Sequence, residues 1–181
     1  MRVAVLQSKG GVGKSYLVKL ICLYVEKTGA LTHFFDLDNA SSSLFNYLSS
    51  LGQKKSDKVK ITRYNLLSDD KRIDRSKFDV FLEKIGKLEN VAIDFGAASS
   101  EQIYYYLKEE SQNGIMELLE EYNIKLLVVV CGGPSAKECV DFYNDIMSIP
   151  GADRIVYVVA NEFSGGINGK SVKDACNAHI Q

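Results

Sequence analysis

The feature that most constrains the fold is a series of continuously apolar, β-branched segments separated by helical patterns. These segments are residues 2–7, 31–36, 90–94, 125–131 and 154–160. Because apolar and polar residues do not alternate within them, each segment is predicted to be a strand buried on both faces, which is typical of a largely parallel sheet. Strands that alternate with helices predict an α/β fold, a doubly wound, mostly parallel sheet with helices on both faces.

Three stretches between these segments carry helical patterns. Residues 15–27 are apolar around most of the helix circumference and predict a central, buried helix that ends at Gly29. Residues 136–148 place their apolar side chains on one face, which predicts a helix covering one side of the sheet. Residues 100–121 predict two shorter helices divided near residues 113–114.

Length and composition favour one globular domain. The chain has 181 residues, of which 46% are hydrophobic and 25% charged, so we expect a single domain over residues 1–181 with a substantial core. The chain has 22 Lys and Arg against 23 Asp and Glu, a net charge of -1. No strong overall field would therefore hold it on nucleic acid or on an anionic membrane, and such binding would need a local patch.

The segment 52–77 is the poorest in pattern and is rich in charge. It predicts either a strand over residues 59–67 in a basic, mobile setting or a solvated surface loop with an edge strand. Its cations are the candidate patch for nonspecific DNA binding: Lys54, Lys55, Lys58, Lys60 and Arg63.

The cysteines argue against a metal centre. They stand singly in apolar surroundings, without a C-x-x-C pair or a histidine at ligand spacing, so neither zinc nor an iron-sulfur cluster is indicated. We predict reduced core residues for all four: Cys22, Cys131, Cys139 and Cys176.

No targeting or membrane-spanning segment is evident in the sequence. The apolar stretch at the N-terminus is too short for a signal peptide, and no stretch approaches the length of a membrane-spanning helix. We therefore expect a cytoplasmic protein without integral membrane association.

Residues 8–15, which we call the glycine loop, join the first predicted strand to the first predicted helix. In an open parallel sheet, a loop at this position is where phosphates bind, because backbone N–H groups can converge on their oxygens. Lys14 would supply a positive charge to the β- and γ-phosphates, and the Ser15 hydroxyl is suited to Mg²⁺. The predicted nucleotide-binding residues here are Gly10, Gly11, Val12, Gly13, Lys14, Ser15 and Tyr16.

Acidic residues follow two of the other predicted strands. Asp36 and Asp38 end the second strand and alternate along it, and we do not expect them to share one task. Asp94 ends an apolar strand in the arrangement called Walker B, and is expected to hold Mg²⁺ through water. The residues after Gly96 are candidates for a segment sensitive to the γ-phosphate.

The loop has the form K-G-G-x-G-K-[ST], with Ser8 where the general phosphate-binding pattern has glycine. This form resembles the deviant Walker A motif of the ParA/MinD superfamily of partitioning and positioning ATPases. The resemblance implies a P-loop NTPase fold, and ATP with Mg²⁺ as ligands. It also implies an ATP-dependent homodimer in which Lys14 serves its own nucleotide while Lys9 reaches the partner's, as an arginine finger does.

The resemblance also implies roles for the polar residues after the strands. Asp38 matches the residue that positions the attacking water, and Asp36 matches one near the metal and Lys14, although the family's P-Q-G-N continuation is replaced here by "NASS". Asn161, after the last apolar segment, matches an asparagine that hydrogen-bonds adenine. The implied catalytic residues are Lys9, Lys14 and Asp38, and the implied metal residues are Ser15, Asp36 and Asp94.

Within the superfamily, three segments are most similar to the ATPases encoded beside plasmid transfer and stability functions, the TraL/StbB type: "VLQSKGGVGKS", "IDFGAASS" and "CGGPSAKECVDFY". This similarity implies a slow ATPase switch for partition, positioning or conjugal transfer, with DNA or a DNA-bound adaptor protein as partner. Family members usually continue with another strand and helix, so we expect either a minimal domain or one truncated at its C-terminal edge.

Two other functions fit a loop of this kind. One is a metabolic ATP-dependent enzyme similar to dethiobiotin synthetase, which would need a pocket for an organic substrate beside the γ-phosphate. The other is a metal-cluster assembly ATPase, which the lack of paired cysteines disfavours.

Overall fold

A computed structural model of the chain describes residues 1–38, 42–52 and 58–162. Within them, six strands form one sheet in which every pairing is parallel. The strands are β1 (Arg2–Leu6), β2 (Thr32–Asp36), β3 (Val59–Arg63), β4 (Val91–Asp94), β5 (Ile124–Cys131) and β6 (Val156–Asn161), in the order β3-β2-β4-β1-β5-β6.

Helices connect the strands, as the alternating pattern predicts. They are α1 (Lys14–Thr28), α2 (Ser43–Gly52), α3 (Arg75–Gly86), α4 (Ala97–Glu109), α5 (Ile115–Glu121) and α6 (Ala136–Met147), and short 3₁₀ turns cover residues 111–113, 133–135 and 152–154. From β1, α1 and α2 lead towards the β3 edge, whereas α3, α4, α5 and α6 lead back towards β6. Because parallel crossovers are right-handed, the two groups lie on opposite faces of the sheet. The doubly wound α/β prediction is therefore confirmed.

The strand order creates a crevice at the carboxyl ends of β1 and β4. The helix after β1 leads to one side and the helix after β4 leads to the other, and ligands bind at such a reversal in open α/β sheets. The register sets Val5 of β1 beside Asp94 of β4, and Asp36 of β2 on the other side of Asp94. The glycine loop and both acidic segments therefore meet at one edge of the sheet.

The prediction of a fully buried first helix is wrong for the described part of the chain. One face of α1 packs on the sheet through Val18, Cys22 and Val25. The other side carries four exposed apolar side chains: Tyr16, Leu20, Leu23 and Tyr24. Apolar composition all around a helix does not bury it when only one sheet face lies against it.

Two helices were not predicted from the sequence. In α3, Phe78, Phe81, Leu82 and Ile85 are buried, and their spacing is that of one helix face, a signal that could have identified it. Asp74 caps this helix by accepting a hydrogen bond from the Lys77 backbone N–H. The helical pattern of α2 is short. Its beginning is hard to recognise in the sequence because the residues just before it are of types common in turns. The predicted division of residues 100–121 into two helices is confirmed, although the first of them begins earlier, at Ala97.

The basic segment forms an edge strand shorter than predicted, residues 59–63. Side chains alternate across a strand, so Lys60 and Arg63 lie on opposite faces. Lys60 lies with Lys84 of α3 near His33, whereas the Arg63 guanidinium lies over the ring of Phe45 in α2. The described cations therefore do not form one continuous patch, and Lys54 and Lys55 lie outside the described residues.

Two further expectations concern chemistry away from the crevice. Cys22, Cys131 and Cys139 are buried and form no disulfide, as predicted, and Cys176 lies outside the described residues. None of the described helices combines the length and apolar character that crossing a membrane requires.

Candidate functional site

The glycine loop follows β1 and leads directly into α1. Gly13 has φ +101°, a left-handed conformation that favours glycine, and a Cβ there would lie 2.5 Å from Asn161 Nδ2. That side-chain amide donates a hydrogen bond of 2.8 Å to the Val12 carbonyl, so the end of β6 holds the loop from one side. The close approach explains why this position takes a residue without a side chain.

Lys14 lies inside the loop and is only 7% exposed. Its ammonium donates a 3.0 Å hydrogen bond to the Lys9 carbonyl. Burial lowers the pKa of Lys14, and the charges of Asp94 and Asp38 act in the opposite direction. A buried ammonium on a glycine-rich loop that leads directly into a helix is suited to bind the phosphates of a nucleotide.

Asp94 lies beneath the loop and is 1% exposed. Its pKa is raised to about 7, chiefly by burial and also by the charges of Asp36 and Asp38, while the nearby Ser15 hydroxyl and Lys14 act in the opposite direction. Among the described residues, neither Asp94 carboxylate oxygen has a hydrogen-bond partner of normal geometry. A buried carboxylate without hydrogen-bond partners lowers the stability of the fold unless a cation or another ligand binds to it.

These residues fit a magnesium ion that is completed by phosphate and water oxygens. Mg²⁺ prefers oxygen ligands and is usually bound by one or two protein groups plus substrate phosphates. Ser15 and Asp94 supply a hydroxyl and a carboxylate that lie close to each other. In the described part of the chain, no three His, Cys, Asp or Glu side chains converge to hold a metal by themselves.

Asp36, the last residue of β2, and Asp38, just after it, have different surroundings. Asp36 is 2% exposed, and its two oxygens accept hydrogen bonds from the backbone N–H groups of Asp38 and Phe45, at 2.9 and 2.8 Å. Asp36 is thus a positioning residue for the segment that leads into α2, and its direct contact with a metal stays a prediction. Asp38 is half-buried and faces the cleft described below.

Asp38 is held against the turn that follows β4. A Cβ on Gly96 would lie 2.5 Å from Asp38 Oδ1 and 3.0 Å from its Cα, so only glycine allows this approach. Ser99 ties the same two segments together, because its hydroxyl donates to the carbonyls of Leu37 and Gly96. These contacts join the segment after β2 to the start of α4.

A cleft of about 1110 Å³ opens in front of the loop. It runs from the glycine loop and Asp38 to the start of α4, and its far wall is the segment 65–71, which contributes Asn65, Ser68 and Lys71. Of the predicted nucleotide-binding residues, the structure places six along this cleft: Gly10, Gly11, Gly13, Lys14, Ser15 and Tyr16. Val12 is buried beneath the loop instead.

Lys9 lies on the other side of the same loop. Its ammonium is 2.7 Å from the Glu138 carboxylate in the first turn of α6, and its side chain is 39% exposed. Lys9 is absent from the described residues that line the cleft. The two lysines therefore face opposite sides of one loop.

The role of Asn161 in binding adenine stays a prediction. The structure places the residue at the end of β6, with its amide nitrogen on the Val12 carbonyl. This contact accounts for an amide side chain at this position by supporting the loop.

Sequence reasoning missed a second support, Gln7. This side chain is fully buried, and its Nε2 donates to the carbonyls of Val129 and Cys139, while its Oε1 accepts from the Lys9 backbone N–H. Its own backbone N–H donates to the hydroxyl of Ser100. A polar residue at the end of a buried strand, just before the loop, was the available signal.

Relatives with similar sequences cover most of this chain. The chain is 30% identical over 172 aligned residues to Protein TraL of Escherichia coli. The aligned region is 92% of this chain and 66% of the relative. A second Escherichia coli Protein TraL is 30% identical over 166 residues, or 90% of this chain and 64% of the relative. The chain thus spans just under two thirds of the length of these relatives, and no protein-family model matches it.

Solved structures share the fold at low sequence identity. The MinD cell division protein of Aquifex aeolicus superposes with a TM-score of 0.55 at 17% sequence identity. The superposed region is 97% of this chain and 77% of the MinD chain. A plasmid partition protein from Borrelia burgdorferi superposes with a TM-score of 0.55 at 13% sequence identity. The superposed region is 98% of this chain and 84% of the partition protein. With the glycine loop at the reversal of a parallel sheet, the chain shares the P-loop NTPase fold of these two proteins, and over most of its length it is similar in sequence to the TraL proteins.

Proposed function

We propose that this chain is an ATP-dependent dimerisation switch that hydrolyses ATP slowly in the presence of Mg²⁺. The observation that carries the proposal is the opposite placement of two lysines on one loop. Lys14 is buried against the cleft, whereas the Lys9 ammonium lies half-exposed outside it. A cation on the outer side of a phosphate-binding loop is available to a second subunit.

The lysine placement fits catalysis that is completed between two protomers. Phosphoryl transfer needs little covalent chemistry from the protein, and its rate depends on positioned charges and an aligned nucleophile. Lys14 would stabilise the phosphates of its own nucleotide, and Lys9 would supply charge to the partner's nucleotide only when the two protomers meet. Hydrolysis would then be slow in the monomer and would limit the lifetime of the dimer.

The remaining residues of the site have roles in the same scheme. Ser15 and Asp94 would hold Mg²⁺, which when bound neutralises charge that develops on the phosphates. Asp38, held by Gly96, would orient the attacking water, and Asn161 would contact the base. The coupling of the two segments through Ser99 supports a change in both when the γ-phosphate leaves.

We further propose a cellular role in partition, positioning or conjugal transfer of a plasmid or similar DNA cargo in the cytoplasm. The similarity to TraL proteins and the fold shared with a plasmid partition protein support this role. The partner would be DNA or a DNA-bound adaptor protein. The separation of Lys60 from Arg63 on β3 favours the adaptor, because the described cations do not form one surface.

The test is the solution mass of the protein with Mg²⁺ and either ADP or a non-hydrolysable ATP analogue, measured by light scattering after size exclusion. We expect a dimer with the analogue and a monomer with ADP. Lys9→Ala should weaken the dimer at least about 10-fold, since a charge-assisted hydrogen bond contributes about 1.5–3 kcal/mol.

Lys137→Ala is the matched control, because Lys137 is an exposed lysine on α6 whose partner is Asp141. This variant should dimerise as the unmodified chain does. A mass that does not respond to the nucleotide would refute the switch.

A second candidate function has one observation in its favour. The cleft continues past the glycine loop to Asn65, Ser68 and Lys71, on the side away from Asn161, and so has space for a second small molecule beside the γ-phosphate. This space fits a metabolic ATP-dependent enzyme similar to dethiobiotin synthetase. A protein that binds both ADP and the ATP analogue and stays monomeric with each of them would favour this alternative.

A further inference from the structure

The ion pair between Lys9 and Glu138 joins the glycine loop to α6 across the outer side of the site. Lys9 Nζ and Glu138 Oε2 are 2.7 Å apart, which is at the short end of the range for a charge-assisted hydrogen bond. Glu138 lies in the first turn of α6, where the helix dipole favours a carboxylate. The pair therefore joins two well-anchored elements of one subunit.

The backbone of Lys9 is fixed independently of this pair. Its N–H donates to Gln7 Oε1 at 3.3 Å, and its carbonyl accepts from Lys14 Nζ at 3.0 Å. Only the side chain of Lys9 must move for its ammonium to leave Glu138. The ammonium thus has two alternative acceptors, the carboxylate of its own subunit and the phosphates of a partner's nucleotide.

We propose that Glu138 is a latch that holds Lys9 on its own subunit and opposes premature dimerisation. This inference rests on the proposed function, because it assigns Lys9 to the partner's nucleotide. Each symmetric dimer must open two such pairs, one from each protomer. Glu138 would therefore set the nucleotide-dependent dimer constant without contacting the nucleotide itself.

The expected size of the effect follows from the exposure of the pair. The two side chains are 39% and 57% exposed, and an exposed ion pair changes an equilibrium constant by about 1.4- to 5-fold. Opening two pairs multiplies this factor, so Glu138→Gln should tighten the dimer by about 2- to 25-fold. The gain should shrink at high salt, because salt already weakens the exposed pair.

The chain offers a matched control one turn further along the same helix. Asp141 is also 57% exposed and pairs with Lys137 at 3.1 Å, away from the glycine loop. Asp141→Asn removes the same charge from α6 and should not tighten the dimer. This control separates the loss of the latch from a general change in the charge of the surface.

The experiment measures the dimer dissociation constant with the non-hydrolysable ATP analogue and Mg²⁺, by sedimentation at low and high salt. The expected result is a tighter dimer for Glu138→Gln, no tightening for Asp141→Asn, and no effect of Glu138→Gln when Lys9 is already alanine. A dimer that is unchanged or weaker in Glu138→Gln would overturn the latch. So would equal tightening in the Lys9→Ala background.

A second measurement tests the pair in the nucleotide-free monomer, independently of dimerisation. Glu138 raises the pKa of the Lys9 ammonium, chiefly through their hydrogen bond. Competitive acylation of amines should therefore modify Lys9 faster in Glu138→Gln than in Asp141→Asn. Faster modification without any dimer would refute the proposed function, whereas unchanged modification would refute the latch alone.

Discussion

The inner and outer sides of the glycine loop shift the pKa of a lysine ammonium in opposite directions. On the inner side, Lys14 is 7% exposed and burial lowers its pKa, beside the still more deeply buried Asp94. On the outer side, the Lys9 side chain is 39% exposed and Glu138 raises its pKa. The inner charges are held at a cost in desolvation, which a ligand can relieve. The outer charge is already solvated and paired, so a partner must compete for it.

This comparison predicts that inner-side substitutions have large effects on stability and nucleotide binding. Surface substitutions outside the cleft should change both quantities little.

The largest effect is expected for Asp94→Asn without Mg²⁺. The pKa of Asp94 is raised from 3.8 to about 7 in the folded protein, so the folded state binds the proton more tightly than the unfolded state does. Stability conferred by this proton is complete below pH 4 and is lost as the pH rises to 7 and above. At pH 8 in a chelating buffer, the variant should be more stable than the unmodified chain by up to about 4 kcal/mol.

Urea unfolding of both proteins between pH 4 and pH 8 checks this prediction. Carboxylates distant from Asp94 contribute equally to the two curves, so the difference between the curves reports Asp94 and its coupling to Asp36 and Asp38. Addition of Mg²⁺ and nucleotide should stabilise the unmodified chain more than the variant, which keeps the glycine loop and Lys14 but lacks the Asp94 carboxylate. Parallel curves across the whole pH range would contradict a buried, unpaired carboxylate at this position.

Lys14→Ala should weaken nucleotide binding by about 10- to 100-fold, because charge-assisted hydrogen bonds to the phosphates are lost. Isothermal titration with the ATP analogue and Mg²⁺ measures the change. Lys137→Ala, an exposed lysine on the outer surface, should bind nucleotide within about 2-fold of the unmodified chain. Equal losses in the two variants would remove the distinction between the inner and outer sides.

A smaller effect is expected for Gln7→Ala, which removes the support beneath the loop. The variant leaves buried carbonyl groups of Val129 and Cys139 without these side-chain donors, and should lower the free energy of unfolding by about 2 kcal/mol. Gln112→Ala, at an exposed position, should change it by less than about 0.5 kcal/mol. Equal unfolding midpoints for the two variants would show that Gln7 does not hold the loop.

The fold was largely predictable because its signals are local. Continuous apolar runs identify strands covered on both faces, and they located five of the six described strands within a few residues. The helix α3 was missed although Phe78, Phe81, Leu82 and Ile85 have the spacing of one helix face, because the charged residues before it dominated the segment. The exposed side of α1 was not predictable, since burial depends on what packs against a helix and composition does not specify that.

The candidate site was predictable where a residue type is required by backbone geometry or by ligand chemistry. The order of strand, glycine loop, lysine and serine is such a requirement, and the cleft contains most of the predicted residues. The supports were not predictable in this way. Gln7, Gly96 and Glu138 act through contacts with residues distant in the chain, and each contact exists only because the sheet order brings their elements together.

Neighbouring residues were sufficient to predict a doubly wound α/β chain with a phosphate-binding loop between its first strand and first helix, because apolar periodicity and glycine conformational freedom are local properties. The tertiary structure alone decided that Asp36 holds a turn while Asp38 faces the cleft, and that Lys14 is buried while Lys9 pairs with Glu138. The physical reason is that desolvation and charge pairing depend on distances through space, and the strand order sets those distances.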